Sequence, residues 1–189
     1  MYMRKKLGAL RKRSGFTILE MIVSIAIITL ISAQVLVSFS SLNEASTLGR
    51  AAEELAFNIR RAQNMSLAVA PVRIGGIIAI PQAVGIRIAT SPSSYFFFAD
   101  QDKNGTYDDP VEQIEPMIIL PGKIRVASIT GEIPGNPGVH IIFYTPEAML
   151  AMTDFIGAPI PNHIDITLQG TSGAIKIVRI RMSGQVSVL

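Results

Sequence analysis

Arg11-Lys12-Arg13-Ser14-Gly15-Phe16-Thr17-Ile18-Leu19-Glu20-Met21-Ile22-Val23-Ser24-Ile25-Ala26-Ile27 is the stretch that decides the fold, and beyond it the chain runs to Leu42 without a charge. Met21 to Leu42 is 22 residues, about 33 Å as a helix, enough to cross a hydrocarbon core. Cations stand in front of it as Arg4-Lys5-Lys6 and Arg11-Lys12-Arg13. They predict a leader held in the cytoplasm and a chain directed outward beyond it. A secretory signal has a shorter apolar stretch with a small-residue cleavage site after it. Here the expected cut precedes the apolar run, so the membrane segment stays on the mature chain. Glu20 is the one acid in this region. A carboxylate near the start of a membrane helix is costly unless it is paired or reaches the membrane surface, and so marks a functional position. The helix macrodipole helps an anion only weakly beyond the first turn.

Residues 15–27 resemble the N-terminus of type IV prepilins and type II secretion pseudopilins. The resemblance implies that a prepilin peptidase cleaves between Gly15 and Phe16 and methylates the new amine of Phe16. It implies that Glu20 pairs with the N-terminal amine of a neighbouring subunit during filament growth. The partners it implies are other pilin or pseudopilin subunits through the N-terminal helix, the peptidase, and an inner-membrane assembly platform. The implied location is the cytoplasmic (inner) membrane, single-pass, with the C-terminal domain outside the cytoplasm, and then a pilus or pseudopilus. Two further segments, residues 50–63 and 180–188, are similar to the stalk and closing strands of the minor pseudopilin H group. Two departures stand out: cysteine is absent, where many pilins carry a disulfide near the C-terminus, and no Pro lies between Phe16 and Ala70, the first Gly after Phe16 being Gly49.

The basic pI of 9.4 comes from the leader. Six of the 17 Lys and Arg residues precede Phe16, leaving 11 cations against 14 acids, a side-chain net of −3. A generally basic nucleic-acid-binding surface is therefore not indicated. With no cysteine, neither disulfides nor thiolate chemistry contributes.

Past Leu42 the chain stays helix-forming but turns amphipathic. Positions 45, 48, 52, 55, 59, 62, 66 and 69 read Ala, Leu, Ala, Leu, Ile, Ala, Ser and Val at alternating spacings of three and four, a narrow stripe of small residues. It predicts helix to Ala70, before Pro71, with the stripe packed either on the chain's own sheet or on neighbouring helices. Strand signals follow at residues 84–88, 95–98, 117–120, 124–129, 140–144, 164–168, 174–182 and 185–188, with a hairpin turn at Ser183-Gly184. The expected class is α+β: a long N-terminal helix packed on a C-terminal antiparallel sheet domain. The expected divisions are a leader at 1–15, a membrane or filament-core helix at 16–42, an amphipathic stalk at 43–70 and a β-rich domain at 71–189. Residues 145–162 read as a loop whose Met149, Leu150, Met152, Phe155 and Ile156 either fold over the sheet or face other subunits.

One segment points to a ligand. Asp100-Gln101-Asp102-Lys103-Asn104-Gly105 follows D-x-D-x-N-G, with oxygen donors at positions 1, 3 and 5 and the turn glycine at 6. Thr106 and Asp108 fall at positions 7 and 9, while position 12 is Val111 and Glu112 comes one place late. The set Asp100, Asp102, Asn104, Thr106 and Asp108 would suit Ca²⁺; equally, Asp, Asn and Gly simply make turns. Arg179 and Arg181 share one strand face, and some pilus relatives bind DNA through such a strand. An enzyme is not expected. His140 and His163 are the only histidines, each on or beside an apolar strand, and no nucleophile elbow or phosphate loop occurs. The expected function is a prepilin-like structural subunit, a minor pseudopilin or minor pilin. The alternatives are a DNA-binding minor pilin of an uptake pilus, a major pilin, and a single-span protein that never polymerises.

Overall fold

The computed structural model describes residues 15–91, 93–107, 110–130, 138–160 and 162–189. The leader cations, Asp108, Asp109 and residues 131–137 lie outside the described residues. Helix α1 (Ile18–Leu67) is continuous, as a stretch without proline and rich in Ala, Leu and Ile allows. It ends three residues short of the predicted Ala70. Val69 turns into the left-handed region at φ 50°. Its N–H reaches Ser66 O at 3.1 Å, and Ala70 N–H reaches Met65 O at 3.0 Å. Those two bonds form a Schellman cap, so the chain leaves the helix before Pro71 forbids it.

By contacts the chain divides into two compact units, Met1–Ser40 and Ser41–Leu189, with α1 passing from one to the other. In the first unit the helix stretch Ile18–Leu36 has a mean hydropathy of 2.2 and none of it is buried.

In the second unit the rest of α1 packs on sheet, and all described strand pairs are antiparallel. A five-stranded sheet has the order β5 (Ile118–Ile119), β4 (Ser94–Asp100), β3 (Ala83–Ala89), β7 (Gly138–Tyr144), β8 (Met149–Asp154). A four-stranded sheet has the order β11 (Val186–Val188), β10 (Ile175–Arg181), β9 (His163–Gln169), β6 (Arg125–Thr130). A small hairpin pairs β1 (Val72–Ile74) with β2 (Ile77–Ala79). The architecture is α+β, as the sequence predicted. Its stripe lies inside: Leu48, Ala52, Leu55, Ile59 and Ala62 are all buried. They share one cluster with inward residues of both sheets, among them Val84, Ile86, Phe97 and Ile141 on one and Ile164, Ile166, Val178 and Ile180 on the other. The small side chains let the helix backbone sit close to the strands. Polar ties fix its rotation: Asn58 Nδ2 donates to Tyr95 OH at 2.9 Å, Ser66 Oγ to Phe143 O at 3.0 Å, and Arg60 to Val186 O at 2.7 Å.

Residues 145–162 correct the sequence reading. They are not a loop throughout, since Met149–Asp154 pairs with β7 as an edge strand. Leu150 and Met152 point into the core while Met149 and Ile156 stay exposed. The second face of the five-stranded sheet is covered too. Ala83, Phe96, Phe98 and Ile142 form a separate cluster beneath Tyr107 and Tyr144. The chain following β4 supplies this cover, so the acidic segment is held against the sheet.

Candidate functional site

The first candidate is the junction before α1. Gly15 and Phe16 precede the helix in non-helical chain; both are exposed, with Phe16 at 74%. Their peptide bond is open to a protease. Thr17 then caps the helix: its Oγ1 accepts from Glu20 N–H at 3.2 Å. Thr17-Ile18-Leu19-Glu20 is thus a T-x-x-E capping sequence, a signal present in the chain that our sequence reading passed over. Threonine satisfies one orphan amide, and the acid at the third helical position faces the positive end of the macrodipole. Glu20 forms no ion pair among the described residues. Within the apolar run, Ser24 Oγ and Thr29 Oγ1 donate to carbonyls four residues back at 2.6 and 2.8 Å. The hydroxyls are thereby satisfied inside their own helix, as a lipid environment requires.

The second candidate is the chain that follows β4. Asp100, the last residue of that strand, is fully buried. Its Oδ2 accepts from Gly105 N–H at 3.0 Å, and its Oδ1 has no hydrogen-bond partner. Gly105 can close this turn because its φ is 75°. Asp102 and Glu112 complete a group whose offered carboxylate oxygens lie within 4.8 Å of one another. Glu112 sits on a 3-10 turn (Pro110–Glu112), is itself buried, and has one oxygen 3.4 Å from Gln101 N–H. Burial pushes the Asp100 carboxyl above the usual carboxylate range; the Gly105 N–H opposes this and neighbouring Asp102 adds to it. Of the other predicted ligands, Asn104 Oδ1 accepts from Thr106 N–H at 2.8 Å and from Thr106 Oγ1 at 2.7 Å. Asn104 Nδ2 donates to Asp102 Oδ2 at 2.9 Å. Asp108 lies outside the described residues.

Residues 10–33 match the family model described as the prokaryotic N-terminal methylation motif. The N-terminus is prepilin-like. The match supports a prepilin-like N-terminus, with prepilin peptidase cleavage and N-methylation. Together with the apolar stretch Ile18–Leu36 it fits a single-pass inner-membrane anchor. No curated protein and no solved structure shows significant similarity to the chain.

The remaining predicted residues fall into structural settings. Arg179 makes a bidentate pair with Asp165 across β9 and β10 at 2.7 and 2.6 Å. The Arg179 hydrogen bond holds the Asp165 carboxyl below its ordinary range. Arg181 donates to Gln185 Oε1 at 2.8 Å. His163 is exposed at the start of β9, whereas His140 is buried. The His140 ring stacks on Phe155 at 5.1 Å and its Nδ1 lies 3.2 Å from Asp154 O. Burial, then the neighbouring Arg87 guanidinium, pulls its pKa down to about 4. A neutral, enclosed imidazole of this kind is a packing element.

Proposed function

We propose that the protein is a membrane-anchored filament subunit, a minor pseudopilin of a type II secretion system or a minor pilin of a type IV pilus. One observation carries the reading: the methylation motif at 10–33 overlays an exposed Gly15-Phe16 junction and a capped apolar helix with a single acid. Cleavage there would leave Phe16 with a free amine two residues before the helix, where the helix dipole disfavours a cation. A carboxylate from Glu20 of a neighbouring subunit would offset that charge as helices stack, and exposed apolar side chains from Ile18 to Leu36 would face other helices once the subunit leaves the bilayer. The cationic leader points the C-terminal domain outward. The similarity of residues 50–63 and 180–188 to the minor pseudopilin H group favours a minor over a bulk subunit. The DNA-receptor alternative has less support, because the Arg179 guanidinium already donates to Asp165.

Mass spectrometry of the chain recovered from native membranes tests this. A mature N-terminus at a methylated Phe16 is the expected result. A chain that retains Arg11-Lys12-Arg13, or one lacking the 18–36 helix, refutes it. Glu20→Ala should still be cleaved yet lose incorporation into filaments by at least about tenfold, as expected for removing a charge pair worth more than about 1.4 kcal/mol in lipid.

A further inference from the structure

The acidic turn after β4 crowds three carboxylates into a largely buried place. Asp100 is 0% exposed and Glu112 6%, and their carboxylates stand within 4.8 Å of each other and of Asp102. Like charges at that separation repel strongly where water is excluded. Among the described residues neither Asp100 nor Asp102 forms an ion pair with Lys or Arg; those present join Arg61 to Glu115 and Arg179 to Asp165. An independent observation points the same way. The Asp100 Oδ1 atom is buried and accepts no hydrogen bond, a condition native proteins rarely leave unrelieved.

We propose that Asp100, Asp102 and Glu112 bind one hard divalent cation, of the Ca²⁺ class. Every donor is a carboxylate oxygen, with no imidazole or thiolate in the group, which selects Ca²⁺, Mg²⁺ or Mn²⁺ over Zn²⁺ or Cu²⁺. Three acids match the charge demand of a divalent ion, with carbonyls and waters completing the shell. The ligand set differs from the one the D-x-D-x-N-G pattern suggests. Asn104 Oδ1 already accepts from Thr106. The closing acid is Glu112 because the 3-10 turn at Pro110–Glu112 rotates the chain, leaving Val111 50% exposed and Glu112 buried. The one-residue displacement that weakens the sequence motif is thus removed by the turn. A bound ion would lock the segment that covers the second face of the five-stranded sheet, where Thr153 Oγ1 donates to Gly105 O at 2.6 Å. This site is separate from the junction at Gly15-Phe16 and stands or falls independently of the filament reading.

The test uses the full chain in detergent, stripped with chelator and then dialysed against radioactive Ca²⁺, with Mg²⁺ and Mn²⁺ as competitors. The expected result is one Ca²⁺ per chain, with a dissociation constant on the order of 10⁻⁵ to 10⁻³ M and a melting temperature that rises with Ca²⁺. Glu112→Gln and the exposed Asp102→Asn should each weaken binding at least about tenfold, while Glu115→Gln, whose carboxylate pairs with Arg61, should not. Asp102→Asn keeps the test decisive should Glu112→Gln fold poorly. No binding of any of the three ions at about 10 mM overturns the proposal, as does Ca²⁺ binding that survives Asp102→Asn.

Discussion

Replacing Ile59 by Ala asks whether the helix stripe belongs to the chain's own core or to a neighbour in a filament. Ile59 is 0% exposed and sits in the cluster that joins α1 to both sheets. The substitution removes three carbons, about 2.4 kcal/mol at roughly 0.8 kcal/mol each. The helix and sheets cannot fully collapse around the gap, and a cavity of some tens of Å³ adds about 1 kcal/mol. The expected loss is therefore about 3–4 kcal/mol, a large share of the roughly 5–15 kcal/mol that holds a domain together. Phe57, two residues earlier on the same helix, is 63% exposed. Phe57→Ala should cost less than about 0.5 kcal/mol in the isolated subunit. Urea unfolding of the full chain in detergent, followed by the near-ultraviolet signal of its tyrosines, Tyr95, Tyr107 and Tyr144 in the sheet domain among them, reads both. With a slope of roughly 2 kcal/mol per molar, the midpoint should fall by about 1.5–2 M for Ile59→Ala and hardly move for Phe57→Ala. Equal costs, or an Ile59→Ala cost under about 1 kcal/mol, would refute the assignment of the stripe to the core and return it to intersubunit contact.

Two other measurements follow from single positions. Gly85 lies opposite Phe98 in the β3–β4 ladder, and a Cβ there would meet the Phe98 ring at 2.4 Å. Gly85→Ala should thus cost about 1–3 kcal/mol and lower the melting temperature by about 3–8 °C; an unchanged melt would show that the ring yields freely. His140 faces Arg87 on β3, Asp154 on β8 and the rings of Phe98 and Phe155, and its pKa is lowered from 6.5 to about 4. Above pH 6.5 the imidazole is neutral in both folded and unfolded chains and contributes no slope. Between pH 6.5 and 4 the unfolded chain takes up the proton first, so stability falls by about 3 kcal/mol as the pH drops through that window. Stability curves of the native chain and His140→Asn should diverge in slope only there, and parallel curves would contradict the burial argument.

How much was legible in the chain depends on how local each signal is. The membrane stretch and the stripe from residue 45 to 66 are set by neighbours three and four residues apart, and both lie in α1, which stops at Leu67 before the stripe's last position, Val69. The capping sequence Thr17–Glu20 and the hairpin at Gly75-Gly76, whose φ values of 56° and 89° suit a primed turn, were also readable, though our reading passed over both. Strand β8 was not: Met149-Leu150-Ala151-Met152-Thr153-Asp154 has weak strand propensity. It becomes a strand because β7 offers it an unpaired edge.

Sequence by itself determined that a charged leader, a Gly-Phe junction and an apolar stretch with one acid occur in that order, because hydropathy and charge act along the chain. Only the tertiary structure decided which face of the second helical half is buried, that Arg179 is held by Asp165, and that the Glu112 carboxylate, one place past Val111, stands beside the two aspartates. Those outcomes depend on a sheet backing the loop and a turn rotating it, which bring together groups that spacing alone leaves apart.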